Sequence, residues 1–307
     1  MKKRIGIDIG GTKVAFGLLD EKGNLVYESQ IPSVTTTSED MFNTVVTALS
    51  KLLADNSLSE AEVVLGVGVP GIVDIINGIA IFQTNLPWDN FPLKDKLKKS
   101  FPNISHINID NDVFQAARAE WDAWQLNVKE SMVFLTVSTG VSSPVIIGGN
   151  PVKGSGVAGE LGLFPVWHSQ RLLRLEEVAS GSAIAKSGQF RYKDTQITTK
   201  DVFDRYRQKD QIALEIIDSA TYSLAQAIYV ISCLIDPTKI ILGGSVIMKN
   251  SFMLELLKSK LDELAIPVQK HILDALVLSK YDNNAGLIGA ALSAESEDMP
   301  NNNQGIF

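Results

Sequence analysis

The sequence predicts an α/β protein of two domains built on one repeated plan. An apolar strand at 4–9 runs into a two-glycine turn and a second strand at 14–19. The same succession of strand, small polar turn, strand and Gly-rich turn returns at 132–150, as an internal duplication requires. Between and after these hairpins, strand-like runs alternate with helical periodicity, the pattern of α/β units. A chain of 307 residues suits two domains. We expect the first over 1–114, with a closing helix at 285–294 packed on it, and the second over 115–284. Residues 296–307 are dominated by Glu, Asp, Pro, Asn and Gly and read as a disordered tail.

In the opening turn, Gly10 and Gly11 permit positive φ and close approach of a ligand to bare backbone N–H groups. Thr12 and Lys13 add a hydroxyl and an ammonium, a set that suits a polyphosphate. Asp8, just before the turn, is placed to hold Mg²⁺ through water. A plain tight hairpin has the same local sequence. A third strand at 25–29 completes a meander. Thr37 or Ser38 then caps a helix whose Met41, Phe42, Val45, Val46, Leu49, Leu52 and Leu53 repeat at helical spacing.

Residues 63–69 form a valine-rich strand buried on both faces. Gly66 to Gly71 match G-x-G-x-x-G, but two of these glycines lie inside the strand and no helix opens after them. The dinucleotide fingerprint needs that context, so a nicotinamide site is not expected. Asn85-Leu86-Pro87-Trp88 offers an amide and an aromatic ring, which together bind sugars. The plainer alternative is a loop whose Trp88 packs on its own domain. A short strand at 104–109 ends in Asp110-Asn111-Asp112, where a helix starts.

In the second half, the strand at 132–137 enters Ser138-Thr139-Gly140, and a small-residue loop over 154–162 carries Glu160. Residues 172–186 carry Glu176 and Glu177 before a helix break or cap at Ser180-Gly181-Ser182. The apolar run 212–235 is interrupted by Glu215, Asp218 and Gln226, so it reads as a buried helix that Pro237 ends, not a membrane span. A strand at 239–242 meets Gly243-Gly244, an amphipathic helix follows at 251–264, and a small-residue helix closes the pattern at 285–292.

Composition narrows the function. The chain is 45% hydrophobic and 21% charged, which suits a globular protein with a full core. Its formal net charge is −7 with no basic cluster, so nucleic acid is not an expected partner. No secretory signal is visible, and the single cysteine, Cys233, excludes an intrachain disulfide and a cysteine zinc cluster. A cytoplasmic location is expected. His106, His168 and His271 are scattered, and neither a G-x-S-x-G nor a Walker signature occurs.

Asp112 is the leading candidate for chemistry, at the crevice end of a strand where α/β units bind ligands. Asp112 with Gln115 also fits a capping box, and the two roles are compatible. A helix N-terminus keeps such a carboxylate ionised and able to accept a proton. Glu160 and Glu176 are further carboxylates in small-residue settings, where a solvated surface role is the simpler reading.

In their order, these motifs resemble the ROK family of sugar kinases, with its two-domain actin/hexokinase-like (ribonuclease H-like) fold. The carriers are Asp8 to Lys13, Gly68 to Asp74, Asn85 to Trp88, Asn111-Asp112 with Ala116-Ala117, and Gly159 to Gly162. Leu175-Glu176 before Ser180-Gly181, Asp236-Pro237 with Gly243-Gly244, and Ala285 to Ala290 complete the set. The resemblance implies an ATP- and Mg²⁺-dependent kinase of a hexose or N-acetylhexosamine, glucokinase-like, with Asp112 as general base. It implies sugar contacts from Asn85, Asn111, Glu160, Glu176 and the Gly71 backbone. It implies phosphate contacts from Gly10, Gly11, Thr12, Lys13, Ser138, Thr139 and Gly140, Mg²⁺ at Asp8, adenosine beside Gly243 and Gly244, and a homodimer.

Three places depart from the family pattern. Leu163 stands where a histidine is common, 170–174 carry no cysteine for the usual zinc, and Ser142, Ser143 and Pro144 stand in a run usually rich in glycine. No zinc is therefore expected. A catalytically weak sugar-binding or regulatory member of the family is the alternative.

Overall fold

The computed structural model describes residues 2–83, 85–154, 157–168, 170–281 and 284–295. The expected tail at 296–307, together with Ser155 and Gly156 of the Glu160 loop, lies outside them. The chain divides into two units, Met1–Asp122 with Asn284–Phe307, and Ala123–Asn283. The first unit runs past residue 114 because the helix that begins at Asp112 continues without a break to Ala123.

In the first unit, β1 (Lys3–Ile9), β2 (Lys13–Leu19) and β3 (Leu25–Pro32) form the antiparallel meander. Helix α1 (Ser38–Asp55) buries Met41, Phe42, Val45, Leu49, Leu52 and Leu53. Its cap is Thr37, whose hydroxyl accepts the Asp40 N–H at 3.1 Å. Strand β4 (Val63–Val69) is buried along its whole length, as its run of valines requires. A small three-stranded sheet follows, of β5 (Ile72–Asp74), β6 (Ile79–Phe82) and β7 (Asp89–Phe91), and then α2 (Leu93–Ser100). Strand β8 (Ile107–Asn111) leads directly into α3 (Asp112–Ala123). The main sheet has the order β3-β2-β1-β4-β8, with β4 parallel to β1 and to β8.

The closing helix, Ala285–Ser293, belongs to this unit and packs on β1, β2 and β4. It lies so near the sheet that a Cβ on Gly6 would overlap the Leu287 carbonyl, and one on Gly66 the Ala290 carbonyl. The G-x-G-x-x-G run thus has a packing origin. Its first glycine makes room for a helix and cradles no phosphate.

The second unit contains β9 (Ser131–Val137), β10 (Val141–Ser142), β11 (Val145–Ile147) and β12 (Asn150–Pro151). A hairpin of β13 (Pro165–His168) and β14 (Arg171–Arg174) comes next. Helices α4 (Glu176–Ala179), α5 (Gly181–Tyr192), α6 (Thr199–Arg207) and α7 (Gln211–Leu234) follow. The unit ends with β15 (Lys239–Gly243), α8 (Ser245–Met248), α9 (Met253–Leu264), α10 (Ile272–Ala275) and β16 (Leu276–Leu278). Its sheet order is β12-β11-β9-β15-β16. In both units the first strand is central, with antiparallel strands on one side and parallel strands on the other. That is the duplication expected from the sequence.

The cap offered at Ser180-Gly181-Ser182 is made by Ser180, and a strand hairpin precedes it. Residues 171–174 are a strand, because Val166 and Leu173 pair across the hairpin with Val166 buried. Ser180 is the N-cap of α5, its hydroxyl accepting the Ala183 N–H at 3.1 Å. No described helix is long and apolar enough to cross a membrane.

Candidate active site

The opening turn keeps its expected place but for a different reason. Neither Gly10 nor Gly11 has positive φ. Gly11 is required for space, since a Cβ there would lie 2.7 Å from the Asn85 Cβ and 2.9 Å from the Asn85 carbonyl oxygen. The turn therefore rests on the Asn85 loop. Gly10 donates its N–H to the Lys13 carbonyl at 2.9 Å, and Ser33 donates its hydroxyl to the Gly10 carbonyl at 2.5 Å. Thr12 and Lys13 are exposed, and the Lys13 ammonium reaches Gln30 Oε1 at 3.3 Å.

Asp8 is the most perturbed carboxylate of this turn. Protein atoms crowd it although part of the residue is open, and that desolvation pushes its pKa up to about 6, with the Lys13 charge opposing. Only the Lys13 charge opposes that desolvation among the described residues, so a cation with its water shell would offset it further. This fits a hydrated Mg²⁺, which needs few protein carboxylates when phosphates and waters supply the remaining oxygens. Among the described residues no group of three or more His, Cys, Asp or Glu is arranged to hold a metal by itself.

Asn111 and Asp112 lie on the same sheet edge. Asp8 pairs with Gly68, and Gly68 with Asp110. Asp8 and the end of β8 are thus two strand spacings apart, about 10 Å. The helix cap expected of Asp112 is made by Asn111, whose Oδ1 accepts the N–H groups of Val113 and Phe114 at 3.0 and 3.2 Å. Gln115 does not reach back to close a capping box; it is buried. Asp112 Oδ1 accepts the Val113 N–H at 2.9 Å. Asn111 also donates from Nδ2 to the Gly71 carbonyl at 2.9 Å. Its second amide hydrogen is what remains for a ligand.

Gly71 has φ +78°, and a Cβ there would overlap the Phe82 carbonyl. Asn85 is exposed beside the glycine turn. Trp88 gives no face to a sugar: it is 2% exposed, stacks on Phe91 at 4.9 Å, and donates its indole N–H to the Ser38 carbonyl at 3.1 Å. The plainer reading of this loop holds for Trp88.

In the second unit, Ser138 donates its N–H to the Gly140 carbonyl at 2.9 Å, closing the turn, and Gly181 donates to the Ser138 carbonyl at 2.7 Å. Thr139 is exposed at the tip. Glu176 lies directly behind, with Oε2 accepting the Val141 N–H at 3.1 Å and standing 2.5 Å from where a Gly140 Cβ would be. Glu160 is its neighbour in charge. Desolvation first, then the Glu176 carboxylate, raise the Glu160 pKa. The two glutamates expected to hold a sugar are therefore brought together.

Ser142 and Ser143 turn their hydroxyls to the Gly159 carbonyl at 3.3 Å each, binding the turn to the Glu160 loop rather than filling it. Gly244 has φ +83° and abuts the Val137 carbonyl, so the end of β15 closes on the end of β9. Asp236 does not join it. It sits before β15, paired with His271 Nε2 at 2.6 Å, while Gly243 ends that strand.

A duplicated sheet of this order, each copy opening on a glycine-bearing hairpin, defines the actin/hexokinase-like class. The model of the ROK family matches residues 4–297, and the chain belongs to that family. It is 28% identical to a glucokinase of Halalkalibacterium halodurans over 96% of this chain and 95% of that one. It is 31% identical to an N-acetylmannosamine kinase of Shigella boydii over 96% and 99%. The crystal structure of a ROK family glucokinase from Streptomyces griseus, in complex with glucose and AMPPNP, superposes with a TM-score of 0.78 at 25% identity, covering 94% and 98% of the two chains.

The sequence gives no role to Gln83 and offers Gln115 only as a capping-box partner. Gln83 is buried behind Gly71, donating to the Ile72 carbonyl at 3.3 Å. Gln115 is buried behind Asp112. Polarity inside an apolar stretch was the available signal, but a glutamine has no periodicity of its own.

Proposed function

We propose that the chain is an ATP-dependent carbohydrate kinase that phosphorylates a hydroxyl of a hexose or N-acetylhexosamine. The observation that carries this is the placing of Asp112: a carboxylate at the start of α3, beside the Asn111 cap, at the end of the sheet that also bears Asp8 and the glycine turn. In this reading Asp112 accepts the proton of the sugar hydroxyl as its oxygen attacks phosphorus. Asn85, the remaining Asn111 hydrogen, Gly71, Glu160 and Glu176 hold the other hydroxyls. The backbone of Gly10, Gly11 and Gly140 and the hydroxyls of Thr12, Ser138 and Thr139 suit phosphate oxygens, with Lys13 as counter-charge and Gly243-Gly244 beside the adenosine. When bound there, Mg·ATP supplies the phosphoryl group and neutralises its charge. A cytoplasmic setting suits this chemistry.

The electrostatic neighbourhood of Glu160 and Glu176 supports a ligand rich in hydroxyl donors, since two carboxylates near one another favour O–H groups over anions. Relatives named glucokinase and N-acetylmannosamine kinase support both sugar classes. Leu163, half exposed where a histidine is common, favours a second reading, a sugar-binding member with weak catalysis. A coupled ADP-release assay over glucose, mannose, fructose, N-acetylglucosamine and N-acetylmannosamine decides. We expect turnover with at least one sugar and a loss of about 10²–10⁴-fold in Asp112→Asn. Sugar binding by calorimetry with no ADP release across the panel selects the second reading.

A further inference from the structure

Gln115 is an anomaly in its surroundings. It lies on α3 one turn beyond Asp112, among the buried Ala116, Ala117 and Ala119, and is 2% exposed. Its Nε2 donates to the Val67 carbonyl of β4 at 3.2 Å and to Ser293 Oγ of the closing helix, also at 3.2 Å. Ser293 in turn donates to the Ala290 carbonyl at 2.7 Å. The other end of the amide, Oε1, is buried with no hydrogen-bond partner. An orphaned acceptor costs about 1–3 kcal/mol, and an aliphatic side chain would avoid it. The amide orientation is fixed by its neighbours, since a flipped group would aim oxygen at the Val67 carbonyl oxygen.

The same few atoms form the seat of Asp112. A Cβ on Gly68 would lie 2.6 Å from Gln115 Oε1 and 3.3 Å from the Asp112 Cα. The Gln115 backbone carbonyl presses on Gly289 of the closing helix so closely that any side chain there would overlap it. Farther along that helix, Gly286 faces Asp8, with Oδ2 3.1 Å from where its Cβ would be. One helix thus abuts both the Asp112 turn and Asp8, and the Gln115 amide ties that turn to the helix and to the sheet at once.

We propose that Gln115 is a positioning residue for the Asp112 carboxylate, holding the first turn of α3 against Val67 of β4 and Ser293 of the closing helix. The proposal rests on the reading of Asp112 as the base. Phosphoryl transfer is chiefly a matter of placement, so the tie acts on the chemical step and not on ground-state binding. Replacing Gln115 by leucine removes both donor bonds and also the unsatisfied acceptor, so the cost of the lost Val67 bond is partly offset while the restraint is lost.

The test uses the full chain with Gln115→Leu, Ser293→Ala, their double variant, and Asp112→Asn. It reads steady-state ADP release with D-glucose and N-acetylmannosamine, thermal midpoints, and amide exchange over 111–117. Asp112→Asn probes the base alone: if it retains wild-type turnover, or if wild type turns over neither sugar, the base reading fails and the proposal falls with it. With that reading standing, we expect Gln115→Leu to lower kcat about 10- to 100-fold with KM for ATP and sugar little changed. Exchange over 111–117 should quicken in Gln115→Leu but not in Asp112→Asn. Ser293→Ala should show a smaller loss of the same kind, and the double variant should be no worse than Gln115→Leu, as one shared restraint requires. Unchanged kcat in Gln115→Leu overturns the proposal, as does a loss confined to KM. If Gln115→Leu does not fold, Ser293→Ala decides alone, and wild-type kcat in that variant overturns it.

Discussion

At the scale of single residues, the two units hold carboxylates in opposite electrostatic settings. Asp8 is desolvated beside a lysine, whereas Glu160 is desolvated beside another glutamate. The second arrangement leaves a mark on stability. A carboxyl whose folded pKa exceeds its unfolded value holds more protons folded than unfolded, so stability falls as pH rises through the interval that opens near 4.5. Glu160→Gln removes this. Its thermal midpoint should match wild type at about pH 4 and exceed it at about pH 7, the gap opening as wild type ionises. A gap of equal size at both values would show that Glu160 is not held above its ordinary range. Sugar affinity of the variant should fall at about pH 7, because the amide offers one acceptor oxygen where the carboxylate offers two.

At the scale of elements, the closing helix has most to explain. The sequence marked it only as rich in small residues, and the reason becomes visible once its neighbours are known. Gly286 and Gly289 admit Asp8 and the α3 backbone, while Gly6 and Gly66 of the sheet admit the helix itself. Gly286→Ala should separate folding from function. Alanine favours a helix by about 0.5–1 kcal/mol over glycine, so the midpoint should hold or rise. The new Cβ would crowd Asp8, so KM for Mg·ATP should increase several-fold. A lowered midpoint with unchanged KM would contradict this account of the contact. Much else among the elements was legible beforehand: the first hairpin, the α1 face, β4, β8 and the Asp110-Asn111-Asp112 junction follow from period and from turn residues. The β13–β14 hairpin was not, because only Val166 on it is fully buried and the alternation is too faint to read. The cap of α3 was misassigned because Asn111 and Asp112 are both good caps, and only the geometry of the turn chooses between them.

At the scale of the molecule, one plan used twice organises the chain, and it was readable because each copy opens on the same hairpin-and-turn signal. The chemistry of the two copies has diverged. The first unit carries Asp8, Asp112 and the Asn111 amide; the second carries Glu160 and Glu176 around a serine-lined turn. If the chain binds a sugar as proposed, then sugar alone should stabilise the folded protein. Ligand at about 100 times its Kd adds roughly 2.7 kcal/mol. For a chain of this size that corresponds to a rise in thermal midpoint of about 4 °C. Asn85→Ala and Glu160→Gln each remove a proposed sugar contact, and each should diminish the rise. Asp112→Asn should preserve most of it, because an amide still hydrogen-bonds a hydroxyl while it cannot take up the proton. A sugar that shifts the midpoint in Asp112→Asn but is no longer phosphorylated would separate binding from catalysis in one experiment. An unaltered shift in both Asn85→Ala and Glu160→Gln would mean that the sugar is held by other residues.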